Sequence, residues 1–76
     1  MDSSFEAIIR KEIHISTHAG SVRLAPGMYI VTVKRDDLGQ PNGARLSRID
    51  IDHPPSIRLT QAQYKALDET RFFERR

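Results

Sequence analysis

The sequence predicts an α+β fold, a small twisted antiparallel sheet of four or five strands, either open or barrel-like, with one C-terminal helix. Apolar and polar residues alternate along several short segments, and the β-branched residues isoleucine and valine, which suit a pleated surface, outnumber leucine. A third observation predicts the helix, because a capping motif opens the last apolar segment, which has helical spacing. We expect residues 1–76 to form one small domain.

The first segment, residues 5–15, is predicted to be a strand. Its odd positions are apolar except for Lys11, and its even positions are polar except for Ile8. Alternation with a period of two is typical of a strand with one buried face. A helix is the alternative, because Ser3 and Glu6 have the spacing of a capping box. The alternation continues to the end of the segment, beyond the helical stripe, and therefore favours the strand.

A short strand over residues 22–24 is predicted between two turns. Residues 16–21 form the first turn, and the strand then directs its two aliphatic side chains inwards and its arginine outwards. Pro26 and Gly27 have the positions of a type II turn, which splays the strands that flank it. We therefore expect a corner here, of the kind that small barrel-like sheets use.

Residues 28–35 form the clearest predicted strand, and because both of its faces are apolar we expect it to be covered on both sides. A polar loop over residues 36–44 joins it to a strand over residues 45–52, which gives a β-hairpin with a long, mobile tip. Pro54 and Pro55 end the second strand, because neither donates a ladder hydrogen bond.

The stretch SRIDIDHPP, residues 47–55, raises the question of an acidic site. Ile49 and Ile51 alternate with Asp50 and Asp52. We expect the isoleucines to point inwards, so that the carboxylates lie in solvent and stay ionised. General acid–base catalysis needs a pKa that burial or like charge moves towards neutrality. The pattern therefore predicts the solvent side of a strand and no catalytic pair.

The helix is predicted over residues 61–74, after a short extended entry. Thr60 and Gln63 form a capping box, and Leu59 and Tyr64 have the spacing of a hydrophobic staple. The face expected to lie on the sheet consists of Ala62, Ala66, Leu67, Thr70 and Phe73.

The residues that usually carry chemistry do not form a recognised motif. The sequence has no cysteine, which excludes disulfides and thiolate zinc sites. His14 and His18 are four residues apart, but they fall on a predicted strand and in a turn, where the helical geometry of a metal pair is lost. The four glycines are scattered singly, so there is no phosphate-binding loop. We expect no cofactor, no metal and no enzymatic activity.

The net charge is +2, from twelve basic and ten acidic residues that are interspersed along the chain. This balance permits nucleic-acid binding without implying it. No segment approaches the roughly 20 apolar residues that cross a bilayer, and the N-terminus lacks a signal-peptide core. We expect a cytoplasmic protein that does not bind membranes.

The C-terminal stretch RFFERR motivates the first functional hypothesis, a non-catalytic interaction module that acts as an adaptor, inhibitor or accessory protein. Adjacent Phe72 and Phe73 would point about 100° apart on a helix, so one core buries both with difficulty. Aromatic residues and arginine are enriched at binding hot spots. Phe72 would anchor a protein partner, a second copy of the chain included, with Arg71, Arg75 and Arg76 beside it. The alternative is that both rings cover the end of the sheet.

The second hypothesis is a nucleic-acid-binding regulator with an arginine-rich sheet face. Nine of the twelve basic residues are arginine, which contacts phosphate in a bidentate manner. The residues assigned to this face are Arg23, Arg35, Arg45 and Arg48. A solvated surface of mixed charge is the alternative, because acidic residues lie on comparable faces.

Overall fold

The structure, a computed structural model, describes residues 2–18 and 20–76. The predicted turn at residues 16–21 includes Ala19, which lies outside the described residues. The elements follow one another in this order: β1 Asp2–Ile9, β2 Ile13–Thr17, β3 Gly20–Leu24, β4 Gly27–Arg35, β5 Pro41–Arg48, β6 Ser56–Leu59, α1 Gln61–Asp68 and β7 Phe73–Arg75.

Five strands form an antiparallel sheet in the order β6-β5-β4-β1-β7, and β2 and β3 pair as a separate two-stranded sheet. The α+β class, the antiparallel sheet and the helix near the C-terminus are thus confirmed. The larger sheet is open, with β6 and β7 at its edges, so the barrel-like form of the prediction is wrong.

One face of the larger sheet holds the core, and we call it the inner face. Both α1 and the β2–β3 hairpin contribute side chains to the same buried cluster, whose members are Ala7, Ile9, Ile13, Ile15, Leu24, Tyr29, Val31, Val33, Ala44, Leu46, Leu59, Tyr64, Leu67 and Phe73. Burying a large aliphatic side chain of this kind stabilises the fold by about 2 kcal/mol.

Residues 5–15 form two strands instead of the single strand predicted. The choice of strand over helix is confirmed, and the apolar odd positions face the core as predicted, since Ile9 and Ile13 are buried. The break lies at residues 10–12, which are exposed. A continuous strand would have turned Lys11 towards the core, and the break keeps that ammonium group in water.

The corner before β4 is confirmed, because the chain crosses there from the small sheet to the large one. The predicted turn type is wrong, since Gly27 has a φ of 157° and a type II turn requires about 80° at this position. A Cβ on Gly27 would lie 2.7 Å from Arg48 Nη2 and 2.8 Å from Asp50 Oδ2. Glycine is therefore needed here to let this ion pair cross the start of β4.

The turn of the β4–β5 hairpin covers residues 36–40, so the predicted loop over residues 36–44 is wrong in length. The Asp36 carboxylate accepts hydrogen bonds from the N–H groups of Leu38 and Gln40, both at 2.9 Å. The Asp36 N–H donates to the Gln40 carbonyl at 3.0 Å. One side chain thus closes the turn, and β5 starts directly after it.

The strand predicted to run up to the prolines ends early, at Arg48. Ile49 and Ile51 are 46% and 44% exposed, so the expectation that they point inwards is wrong. The reason lies in the alternation, because positions three apart on a strand face opposite sides. Leu46 is fully buried on the inner face, and Ile49 must therefore lie on the other one.

The helix begins as predicted. Thr60 Oγ1 accepts from the Gln63 N–H at 3.2 Å, and Gln63 Oε1 accepts from the Thr60 N–H at 2.9 Å. Its buried residues are Gln63, Tyr64 and Leu67, whereas Ala62 is exposed, so the predicted face is only partly correct.

The predicted end of the helix, at residue 74, is wrong, because α1 ends at Asp68. Asp68 and Glu69 therefore lie at the negative end of the helix dipole, which is unfavourable for carboxylates, so the dipole does not account for the end of the helix. Phe73 then enters β7 and pairs with β1, and its ring meets the Phe5 ring edge to face at 6.2 Å. Because side chains alternate along a strand, Phe73 points inwards and Phe72 points outwards. The core therefore does not have to bury both adjacent rings.

Candidate interaction surface

The side of the large sheet opposite the core is open, and we call it the outer face. Among the described residues, no side chain that alternation and register assign to this face is fully buried. Met28 and Ile30 are only half-buried, so the expectation that β4 is covered on both sides is wrong. The outer face is therefore available for contacts with another molecule.

Four aliphatic side chains lie together on the outer face and form what we call the apolar strip: Ile8, Met28, Ile30 and Ile49. Ile8 and Met28 are directly opposite each other on β1 and β4. The Ile49 N–H donates to the Met28 carbonyl at 3.0 Å, which extends the β4–β5 ladder by one residue and brings Ile49 beside Met28. Ile30 follows on the same side of β4. Ile49 is exposed and the other three are half-buried. An apolar surface that solvent reaches in this way is typical of interaction sites.

Phe72, the predicted anchor, lies at the margin of the outer face and not on a helix. Its carbonyl accepts from the Arg10 N–H at 2.9 Å, which continues the β1–β7 ladder. The ring is 37% exposed, and Lys11 Nζ lies 5.3 Å from its centre. Its role in partner binding stays a prediction.

The three arginines predicted to surround Phe72 do not form one patch with it. Arg75 is engaged within the molecule, because its Nη2 donates to the Tyr64 hydroxyl at 3.1 Å and its guanidinium lies 4.4 Å from the centre of the Phe5 ring. The Arg76 N–H continues the ladder with β1. Arg71 is exposed in the turn before β7.

Arg48, assigned to nucleic-acid binding, is held by Asp50. Its Nε and Nη2 donate to the two carboxylate oxygens, each at 2.8 Å, and its side chain is only 23% exposed. Its guanidinium also lies 5.9 Å from the centre of the buried Tyr29 ring. The hydrogen bonds from Arg48 lower the pKa of Asp50 to about 2. Because Nε and Nη2 both donate to Asp50, they are not available for a bidentate contact with phosphate.

The other predicted arginines lie on separate surfaces. Arg23 projects from the two-stranded sheet, 3.9 Å from Glu12. Arg35, at the end of β4, donates to the Gly39 carbonyl at 3.0 Å and so supports the hairpin turn. Of the predicted set, Arg45 is the residue that the structure places on the open outer face.

Arg45 has two cationic neighbours that were not assigned to the predicted face, Lys34 and Arg58. Arg45 and Arg58 are directly opposite each other on β5 and β6. All three side chains line a depression with a volume of about 160 Å³, and we call them the basic cluster. Gly43 also lines it, in a bulge of β5 with a φ of 123°.

A second depression, of about 280 Å³, lies between α1 and the start of β5 and includes Tyr64, Lys65 and Asp68 in its wall. Asp52 and His53 are exposed in the connection between β5 and β6. Within residues 2–18 and 20–76 no group of three or more histidine, aspartate or glutamate side chains could hold a metal ion. In the same part of the chain no helix has the length and apolar character needed to cross a membrane.

No protein-family model matches the chain, and no curated protein or solved structure is significantly similar to it.

Proposed function

We propose that this chain is a non-catalytic interaction module that binds a protein partner through its outer face. The observation that carries the proposal is the apolar strip, four contiguous aliphatic side chains that neither α1 nor the β2–β3 hairpin covers. The proposal includes the cytoplasmic location expected from the sequence.

The composition of the outer face supports this function. Protein interfaces have an apolar centre and a polar rim, and charged residues are depleted from the centre. Here the strip lies between Glu6 and the Arg10–Glu74 ion pair on one side and Ser47 on the other. Each half-exposed aliphatic group that a partner removes from water favours binding through the hydrophobic effect, by about 25 cal/mol per Å² of apolar surface.

Photo-crosslinking tests the proposed surface directly. A benzophenone amino acid replaces Ile30 on the outer face, and a matched control chain carries it in place of Gln61, which is exposed on α1. Irradiation in nuclease-treated native lysate should give one dominant protein adduct from position 30 and not from position 61. Adducts of equal yield from both positions, or none from position 30, would refute the outer-face assignment. An adduct of twice the chain mass would identify a second copy as the partner.

Truncation of the predicted anchor measures how far the contact extends. Phe72→Ala should weaken binding of the crosslinked partner by about tenfold, because exposed aromatic side chains are enriched among binding hot spots. Leu38→Ala is the control, because Leu38 is 85% exposed in the hairpin turn, away from the outer face. Isothermal titration calorimetry with the purified partner gives both affinities. Equal affinities for Phe72→Ala and wild type would exclude Phe72 from the interface and leave the strip as its centre.

A further inference from the structure

The basic cluster brings positive charges together in a way that folding alone does not explain. Arg45 and Arg58 are cross-strand partners, and both side chains are exposed. Directly opposed like charges destabilise a strand pair. A carboxylate beside them would relieve the repulsion, but the ion pairs found among residues 2–18 and 20–76 involve Arg10, Arg23, Arg48 and Arg75.

Lys34 adds a third positive charge to the same depression. Its cross-strand partner on β1 is Asp2, yet no ion pair within 4.0 Å joins the two described side chains. Gly43 also lines the depression, and a Cβ there would lie 3.1 Å from the Leu59 carbonyl oxygen. Glycine therefore lets β5 lie close to β6 beside these cations.

We propose that Lys34, Arg45 and Arg58 bind the phosphate backbone of double-stranded nucleic acid. The inference is independent of the protein contact proposed above, because it uses different residues at another part of the outer face. Phosphates that enter the depression would neutralise the Arg45–Arg58 repulsion, and guanidinium groups donate to phosphate oxygens in a bidentate manner.

The surroundings of the cluster favour a duplex over other phosphate ligands. Single-strand binding uses aromatic side chains on which bases stack. Tyr29, Tyr64 and Phe73 are buried in the core, and Phe5 packs against it from β1. Phe72 lies beside β1, at the far side of the sheet from β6. An isolated phosphate would meet only exposed cations and bind weakly. A duplex presents closely spaced phosphates, so that each cation displaces counterions and the contributions add.

The salt dependence of duplex binding gives the number of phosphate contacts that the protein makes. Fluorescence anisotropy with a labelled duplex of about 20 base pairs, from about 20 to 200 mM salt, gives the slope of log K against log salt concentration. Three phosphate contacts predict a slope of about −2.7. Arg45→Gln and Arg58→Gln should each reduce the slope to about −1.8 and weaken binding about tenfold at 50 mM salt. Arg23→Gln removes the same charge from the two-stranded sheet and should change neither.

Several outcomes would overturn the proposal. One is the lack of any anisotropy change at about 20 mM salt. Another is an equal loss of duplex affinity in Arg23→Gln and Arg58→Gln, which would show an effect of net charge alone. A single strand of the same length that binds as tightly would exclude the duplex. Polyglutamate that displaces the duplex at matched charge concentration would indicate an acidic protein segment as the ligand. Circular dichroism spectra matching wild type confirm that each variant is folded.

Discussion

The inner and outer faces of the large sheet are built from the same strands and yet have opposite characters. On β4, Val31 is fully buried, whereas its neighbour Ile30 is only half-buried on the other side. Charge is treated differently as well. Arg48 on the inner side is matched by both oxygens of Asp50, whereas Arg45 and Arg58 on the outer side face each other.

This difference separates side chains that the fold explains from side chains that it does not. Every large apolar residue of the inner face packs in the core cluster or against it, so burial accounts for its identity. The outer face keeps aliphatic groups in water and leaves like charges opposed, which both cost free energy in the isolated chain. Residues of this second kind are the ones from which we infer binding.

Paired truncations on the two faces should show the largest effect. Leu46→Ala removes a fully buried side chain and should lower the free energy of unfolding by about 3 kcal/mol. Ile30→Ala on the outer face should lower it by about 1 kcal/mol or less, because solvent already reaches the side chain. Urea unfolding with an unchanged m-value measures both. Similar losses at the two positions would mean that the outer face is packed as tightly as the core.

Alternation alone predicted most of the inner face, and its failures have a common cause. It identified the inward positions of β1 and β2 correctly, because parity is a local property of a strand. Alternation fails at two places. It would turn the charged Lys11 towards the core, and it cannot place both Leu46 and Ile49 on the inner face, because they are three residues apart. Both failures mark real breaks in the strands. Alternation could not predict that the residues expected to continue the helix form β7 instead. This strand depends on pairing with β1, which is far away in the sequence.

The candidate site could be predicted less well than the fold. The Arg48–Asp50 pair was not predicted, because β5 ends at Arg48 and strand alternation does not place Asp50. The opposition of Arg45 and Arg58 was not predictable either, because the irregular connection over residues 49–55 sets the register of β6. The exposure of the apolar strip likewise depends on where α1 packs, which the alternation of β4 does not reveal.

The Arg48–Asp50 pair predicts a pH dependence confined to acid. Hydrogen bonds from Arg48 hold the pKa of Asp50 at about 2, below the ordinary 3.8. The folded state therefore favours the ionised carboxylate, so the pair stabilises the fold above about pH 4 and loses this effect as the pH falls towards 2. Asp50→Asn should be less stable than wild type in urea unfolding at about pH 7, and the difference should shrink at about pH 2.5. A difference that stays constant across this range would show that Asp50 acts by packing and not by charge.

The smallest expected effect is an increase in the free energy of unfolding, whereas the substitutions above lower it, and it tests the outer face most directly. Arg58→Gln removes the repulsion with Arg45 and should raise the free energy of unfolding by about 0.5 kcal/mol. The same variant should lose duplex affinity, so that one substitution improves folding while it impairs binding. Arg23→Gln is the matched control in thermal and urea unfolding, because Arg23 lies 3.9 Å from Glu12 and should lose a little stability or none. If Arg58→Gln were less stable than wild type, Arg58 would have a structural role, and its place opposite Arg45 would no longer point to a ligand. Stabilisation with reduced duplex affinity is what a binding residue retained at a cost to the fold should show.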